Sequence, residues 1–91
     1  MTREEAIILF SICLDINGLQ ERKKRTTGNL PTVFFDFSGH TATVDVRIYL
    51  SGWELGADAD KKFTLYLNKD MGDAFEDVYV YLVDLKKKMT A

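Results

Sequence analysis

The stretch that decides the fold is "VFFDFSGHTATVDVRIYLSGW", residues 33–53. It reads as two alternating segments either side of Ser38-Gly39, the pattern of a β-hairpin. With a two-residue loop at Ser38-Gly39, Phe37 pairs with His40, Phe35 with Ala42 and Val33 with Val44. One face then carries Val33, Phe35, Phe37, Ala42, Val44, Val46, Ile48 and Leu50, which puts every β-branched core residue on one side. A four-residue loop is expected to give the same pairing and so the same faces, whereas a slip of one residue turns the second strand inside out. The opposite face carries Thr32, Phe34, Asp36, Thr41, Thr43, Asp45, Arg47 and Tyr49. Large apolar groups therefore stand on both sides of the hairpin, although an antiparallel sheet with one wet face needs them on one side only.

Before the hairpin, Thr2 followed by Glu5 is a capping box, so a helix starts almost at the first residue. Ala6, Leu9, Phe10, Cys13 and Asn17 form one stripe of this helix, while Ile7, Ile8, Ile12, Leu14 and Ile16 spread apolar surface most of the way round it. Asn17-Gly18 offers a C-terminal stop. "LQERKKR" consists of good helix formers, so an end near Arg25 stays equally open. "TTGNLP" is a loop, and Pro31 biases Leu30 toward extended geometry.

After the hairpin, "SGWELGADAD" is a glycine-rich acidic loop and "KKFTLYL" a third strand, with Phe63, Leu65 and Leu67 inward and Thr64 and Tyr66 outward. Asn68 or Asp70 caps a second helix bearing Met71, Ala74, Phe75, Val78, Leu82, Leu85 and Met89 at helical spacing. "VYVYLV" within it prefers strand, but acids at Asp70, Asp73, Glu76 and Asp77 and bases at Lys86, Lys87 and Lys88 match the helix dipole at both ends. Residues 1–91 are thus expected to form a single α+β domain. Its order is α-β-β-β-α, a three-stranded antiparallel sheet with two helices packed on one face.

The composition, 46% hydrophobic and 29% charged with one proline, is that of a folded chain rather than a disordered one. The lone Cys13 has no disulfide partner, which fits a reducing cytoplasm. "AIILFSICLDINGL", roughly 14 residues interrupted by Asp15, is too short to cross a bilayer and lacks the basic flank and cleavage site of a signal peptide. No membrane association and no cofactor are expected.

Net charge is −2, but its layout is uneven. Antiparallel strands bring the ends of both helices to one edge, gathering Arg22, Lys23, Lys24, Arg25, Lys86, Lys87 and Lys88 there, partly neutralised by Glu54, Asp58 and Asp60. The element order matches the double-stranded-RNA-binding domain. The motif does not, because "DMGDAFED" places acids where phosphates would approach. A nucleic-acid accessory role through the lysine-arginine end is therefore the second reading and not the first.

Catalytic chemistry finds little support. His40 stands alone and reads as a turn residue against Phe37. Cys13 lies in an apolar helix that raises and shields a thiol. Asp58 and Asp60 lack the rest of an EF-hand, Asp36 and Asp45 lie on an open face without a cleft, and no glycine-rich phosphate loop exists. A non-enzymatic protein is expected.

The surplus apolar residues point to a partner. Phe34, Tyr49 and Tyr66 place one aromatic per strand on the outer face, beside Arg47, and burying three such groups gains roughly 5–9 kcal/mol gross. That is of the order of the ~4–15 kcal/mol lost on immobilising two molecules. Ile8, Ile12 or Ile16 of the first helix are expected to face another chain, and Trp53 is either a lid over the core edge or an interface anchor. A homodimer accounts for all of these most simply. The run "PTVFFDFSGHTATVDVRIYLSGW" with the following acidic loop and "FTLYL" resembles small uncharacterised proteins of Gram-positive bacteria and their phages or prophages, over residues 28–67 and chiefly in "FFDFSGH" and "GW". The resemblance implies an intracellular accessory protein that binds a host or defence protein, and supplies no catalytic residues.

Overall fold

Thr2 starts the first helix as its sequence dictates. Its hydroxyl accepts from the Glu5 amide at 3.1 Å, and the Glu5 carboxylate accepts from the Thr2 amide at 2.9 Å. Helix α1 (Arg3–Asn17) ends where Gly18, at φ 74°, donates its amide to the Leu14 carbonyl. The open boundary is therefore at the glycine. The charged stretch beyond it forms a separate single turn, α2 (Lys24–Thr27), which the expected order lacks. The fold is that of a computed structural model describing residues 1–90.

Strands β1 (Thr32–Ser38), β2 (Thr43–Tyr49) and β3 (Lys61–Tyr66) form one antiparallel sheet in the order β1-β2-β3. Phe37 pairs with Val44, Phe35 with Val46 and Val33 with Ile48. The expected pairings with His40, Ala42 and Val44 are thus displaced along the second strand, and the loop is the four residues Gly39 to Ala42. The displacement is even, so the face assignment holds. The physical reason lies in the turn. A primed two-residue loop needs positive φ at its centre, but here the positive φ falls on Ala42, at 53°, and not on Gly39. The Thr41 amide donates to the Ser38 carbonyl at 3.3 Å, closing a wider turn.

An alanine in the left-handed region is strained by about 1–2 kcal/mol. Ala42→Gly removes that strain at some cost in unfolded-state entropy, so it should stabilise the protein by about 0.5–1 kcal/mol. Thermal unfolding should show a rise of roughly 2–8 °C; a fall would mean that the loop does not hold this conformation.

Helix α3 (Ala74–Thr90) starts later than expected. Neither Asn68 nor Asp70 caps it: the Asp70 carboxylate accepts from the Gly72 amide at 2.9 Å in a preceding turn, and the first helical bond runs from the Asp77 amide to the Asp73 carbonyl. Glu76 and Asp77 lie in its first turn and Lys87 and Lys88 in its last, in line with the dipole.

Both long helices pack on one face of the sheet, α1 against β1 and α3 and α3 against β3, giving the α-β-β-β-α arrangement. Leu9, Ile16, Val44, Val46, Ile48, Leu65, Val78 and Leu82 are fully buried between the layers. Ile12 and Ile16, expected to face outward, are buried in this core. Ile8 is the one of the three expected outward isoleucines that is exposed. Ala42 and Leu50 are not core residues, the first lying in the loop and the second exposed just past the end of β2.

Two anchors fix the course of α1. The Met1 ammonium donates to the Tyr66 and Lys69 carbonyls, at 3.2 and 3.4 Å, pinning the start of the helix beside the end of β3. At its other end, the Asn17 amide donates to the Val33 carbonyl at 2.6 Å and its oxygen accepts from the Val33 amide at 2.8 Å, pinning it to β1. Tyr66 pairs with Thr43 beside the hairpin loop, and Val33 lies at the opposite end of the sheet. The helix thus crosses the sheet diagonally and leaves the hairpin end of β1 uncovered.

Candidate interaction site

The outer face of the sheet carries an aromatic cluster that the chain itself covers. Phe34 lies 5.4 Å from Tyr49 and 6.1 Å from Trp53 between ring centroids, with the Arg47 guanidinium 4.6 Å over the Phe34 ring. Arg47 also pairs with Asp36 at 2.9 Å. Tyr49, expected to be open to a partner, is only 5% exposed. Trp53 is brought here by its own backbone, whose carbonyl accepts from the Lys24 amide at 2.8 Å, while the Lys24 ammonium meets Glu54 at 3.3 Å. Trp53 is a lid over the outer aromatics, not over the core edge.

Tyr66 stands apart from that cluster. It shares a row with Thr43, under the Lys69 ammonium at 4.5 Å from the ring. Between it and Phe34 lies a polar row of Asp36, Asp45 and Thr64, in which the Thr64 hydroxyl donates to Asp45 at 2.6 Å. The predicted residues Phe34, Tyr49, Trp53 and Arg47 are thus brought together, and Tyr66 is not among them.

Of the basic residues, Lys86 pairs with Asp15 at 2.9 Å, which places the ends of α1 and α3 side by side as expected. Lys23 pairs with Glu21, Lys24 with Glu54, and Arg22 donates to the Pro31 carbonyl. Lys23, Lys24 and Arg25 line a groove of about 490 Å³ with Trp53, Glu54 and Leu55. Carboxylates lie within this end, so it presents no unbroken cationic surface.

The other chemical candidates are held in structural roles. Cys13 is buried in α1, and desolvation pushes its thiol up to about 12, leaving it protonated and inert at neutral pH. His40 is exposed in the hairpin loop. The Asp60 carboxylate accepts from the Leu50 amide at 2.7 Å and the Asp60 amide donates to Ile48, clamping the loop between β2 and β3. Among the described residues no group of three or more His, Cys, Asp or Glu side chains is placed to hold a metal ion. Among the described residues no helix is long and apolar enough to cross a membrane.

An apolar concavity lies at the corner that α1 leaves open. A groove of about 760 Å³ runs between the first turns of α1 and the hairpin end of the sheet, lined by Met1, Ala6, Ile7, Phe10, Phe35, Phe37, Val44 and Leu67, with Thr2 and Arg3 at the helix start. Phe37 is 59% exposed, Ile7 51% and Phe10 46%, with Phe10 packed on Phe35 at 5.4 Å. The sequence placed Phe10 and Phe37 on the correct faces but read them as core, because period alone does not say how far a helix covers a strand. The all-round apolar character of α1 was the one signal of this surface, and it is carried by Ile7, Ile8, Phe10 and Leu14.

Comparison with protein-family models, with curated proteins and with solved structures finds no match, so function rests on these residues and their geometry.

Proposed function

We propose that this protein is a non-enzymatic interaction module that self-associates through the open corner of α1 and β1. The observation that carries the reading is the exposure of Phe37, Phe10 and Ile7 around an apolar groove, where a lone folded chain gains nothing from showing them. Phe37, Phe10 and Ile7 together present roughly 300 Å² of apolar side chain, taking about 200 Å² for a whole aromatic. Two copies joined there bury about 600 Å² of these three side chains, and the groups that flank them have to supply the rest of the ~1,000 Å² of a specific interface.

Light scattering after size exclusion, at low and high salt, tests the proposal. A dimer at both salts is expected, because apolar contacts are not screened. Each substitution acts twice in a two-fold dimer, so Phe37→Ser should weaken association roughly 100-fold with the circular dichroism unchanged. A mass that falls to the monomer only at high salt would favour the lysine-arginine end, and with it the nucleic-acid reading. A monomer at both salts would sink self-association and leave the corner to a different protein, of the host or defence class that the resemblance of residues 28–67 implies.

A further inference from the structure

Asn17 reveals which way the backbone of β1 faces. In an antiparallel pair the amide and carbonyl of one residue point to the same side, and the side alternates along the strand. Both groups of Val33 bond to Asn17, hence away from β2. The amides and carbonyls of Phe35 and Phe37 therefore face the same way, along an edge that has no neighbouring strand. The two edges of the sheet differ. β3 opens with Lys61 and Lys62 and is followed by Lys69, the charges that blunt an edge, whereas "TVFFDFS" in β1 has neither lysine nor proline.

We propose that two copies join by antiparallel pairing of their β1 edges about a two-fold axis at Asp36, making one six-stranded sheet. This rests on the self-association proposed above and specifies its geometry. Asn17 fixes the register: the Val33 groups are occupied, so the groups left to pair are those of Phe35 and Phe37. Phe35 of each copy lies opposite Phe37 of the other, which brings Phe37 toward the open groove of the second copy beside Phe10 and Phe35. Asp36 meets its counterpart on the outer face, and each is accompanied by its own Arg47 at 2.9 Å, so the four charges sum to zero. The lysine-bearing β3 edges end up outermost, and the assembly closes at two copies instead of growing into a fibre.

The test is disulfide cross-linking of the full chain carrying Asp36→Cys, under oxidised glutathione. Residues opposite each other at a non-hydrogen-bonded antiparallel position lie about 4.5 Å apart between Cα atoms, within disulfide reach. Rapid cross-linking is expected at position 36, with Phe34→Cys and Ser38→Cys, which the two-fold axis separates from their own counterparts, at least roughly tenfold slower. Buried Cys13 supplies little background. Hydrogen exchange on the unmodified protein is the second measurement: the Phe35 and Phe37 amides should become protected as concentration rises. A dimeric mass with neither cross-linking preference nor protection overturns the β1 pairing and leaves self-association standing; a monomeric mass overturns both.

Discussion

Gly52→Ala should be among the most damaging single substitutions in this chain. Gly52 holds φ at +94°, and a Cβ there would lie 2.7 Å from the Gly28 carbonyl oxygen and 3.0 Å from Cγ of Lys24. The first contact is with backbone, which cannot rotate aside. Conformational strain of about 1–2 kcal/mol adds to the displacement of α2, for a total of roughly 2–4 kcal/mol. In a domain of this size that lowers the melting temperature by about 10–25 °C. Gly56→Ala is the control, because Gly56 has φ +87° but nothing within 4 Å of an added Cβ. It should lose the strain component alone, so a pair of variants with equal melting temperatures would refute the close-approach argument. The Trp53 emission should separate them as well. Trp53 is tied to α2 through the Lys24 amide, so pushing α2 away in Gly52→Ala exposes the indole and shifts its fluorescence to the red, while Gly56→Ala leaves it in place.

Trp53 also shows where sequence reasoning stops. A tryptophan flanked by glycines in a short loop read as either a lid over the core edge or an interface anchor, but its destination beside Phe34 was not legible. That depends on α2, a single turn whose residues read equally well as a continuation of α1, and on the bond from the Lys24 amide to the Trp53 carbonyl, which joins residues far apart in sequence. Once Trp53 folds onto Phe34, which packs on Tyr49, part of the two-sided hairpin of the sequence has its explanation within one chain. Helices cover most of one face, and a loop covers the Phe34 end of the other. The faces themselves were readable because strand alternation depends only on parity, which survived the wrong loop length. The loop length was not readable, since it turns on Ala42 accepting a left-handed conformation that its residue type disfavours.

The open corner was hidden for a different reason. Heptad-like spacing finds the side of α1 that faces the sheet, and Leu9, Ile12, Cys13 and Ile16 are buried accordingly. Crossing angle is set by contacts at the helix ends, through the Met1 ammonium at one and Asn17 at the other. A helix laid parallel to β1 would cover Phe37. The diagonal course exposes it, together with an edge strand that has neither lysine nor proline and whose one charge, Asp36, is paired with Arg47.

Asn17 is therefore a clamp on which both fold and edge depend, and its replacement makes the second large prediction. Asn17→Ala removes two hydrogen bonds at once and leaves the amide and carbonyl of Val33 unpaired in a part-buried position. At about 1–2 kcal/mol for each stranded group, the loss should be roughly 2–4 kcal/mol, or about 10–25 °C in melting temperature. Asn17→Asp discriminates the clamp from mere packing. Aspartate has nearly the same shape and still accepts from the Val33 amide, but it sets a carboxylate against the Val33 carbonyl and adds negative charge at the C-terminal end of α1, where the helix dipole opposes it. It should be no more stable than alanine at neutral pH; stability close to the parent would refute the donor role of the Asn17 amide. Hydrogen exchange locates the effect. The Val33 amide, on an edge with no neighbouring strand, should be slow to exchange in the parent protein because Asn17 holds it, and should exchange at least roughly tenfold faster in both variants. If it stays slow when Asn17 is gone, Val33 is held by a different partner, and the orientation of the β1 edge, with the register argued from it, has to be drawn again.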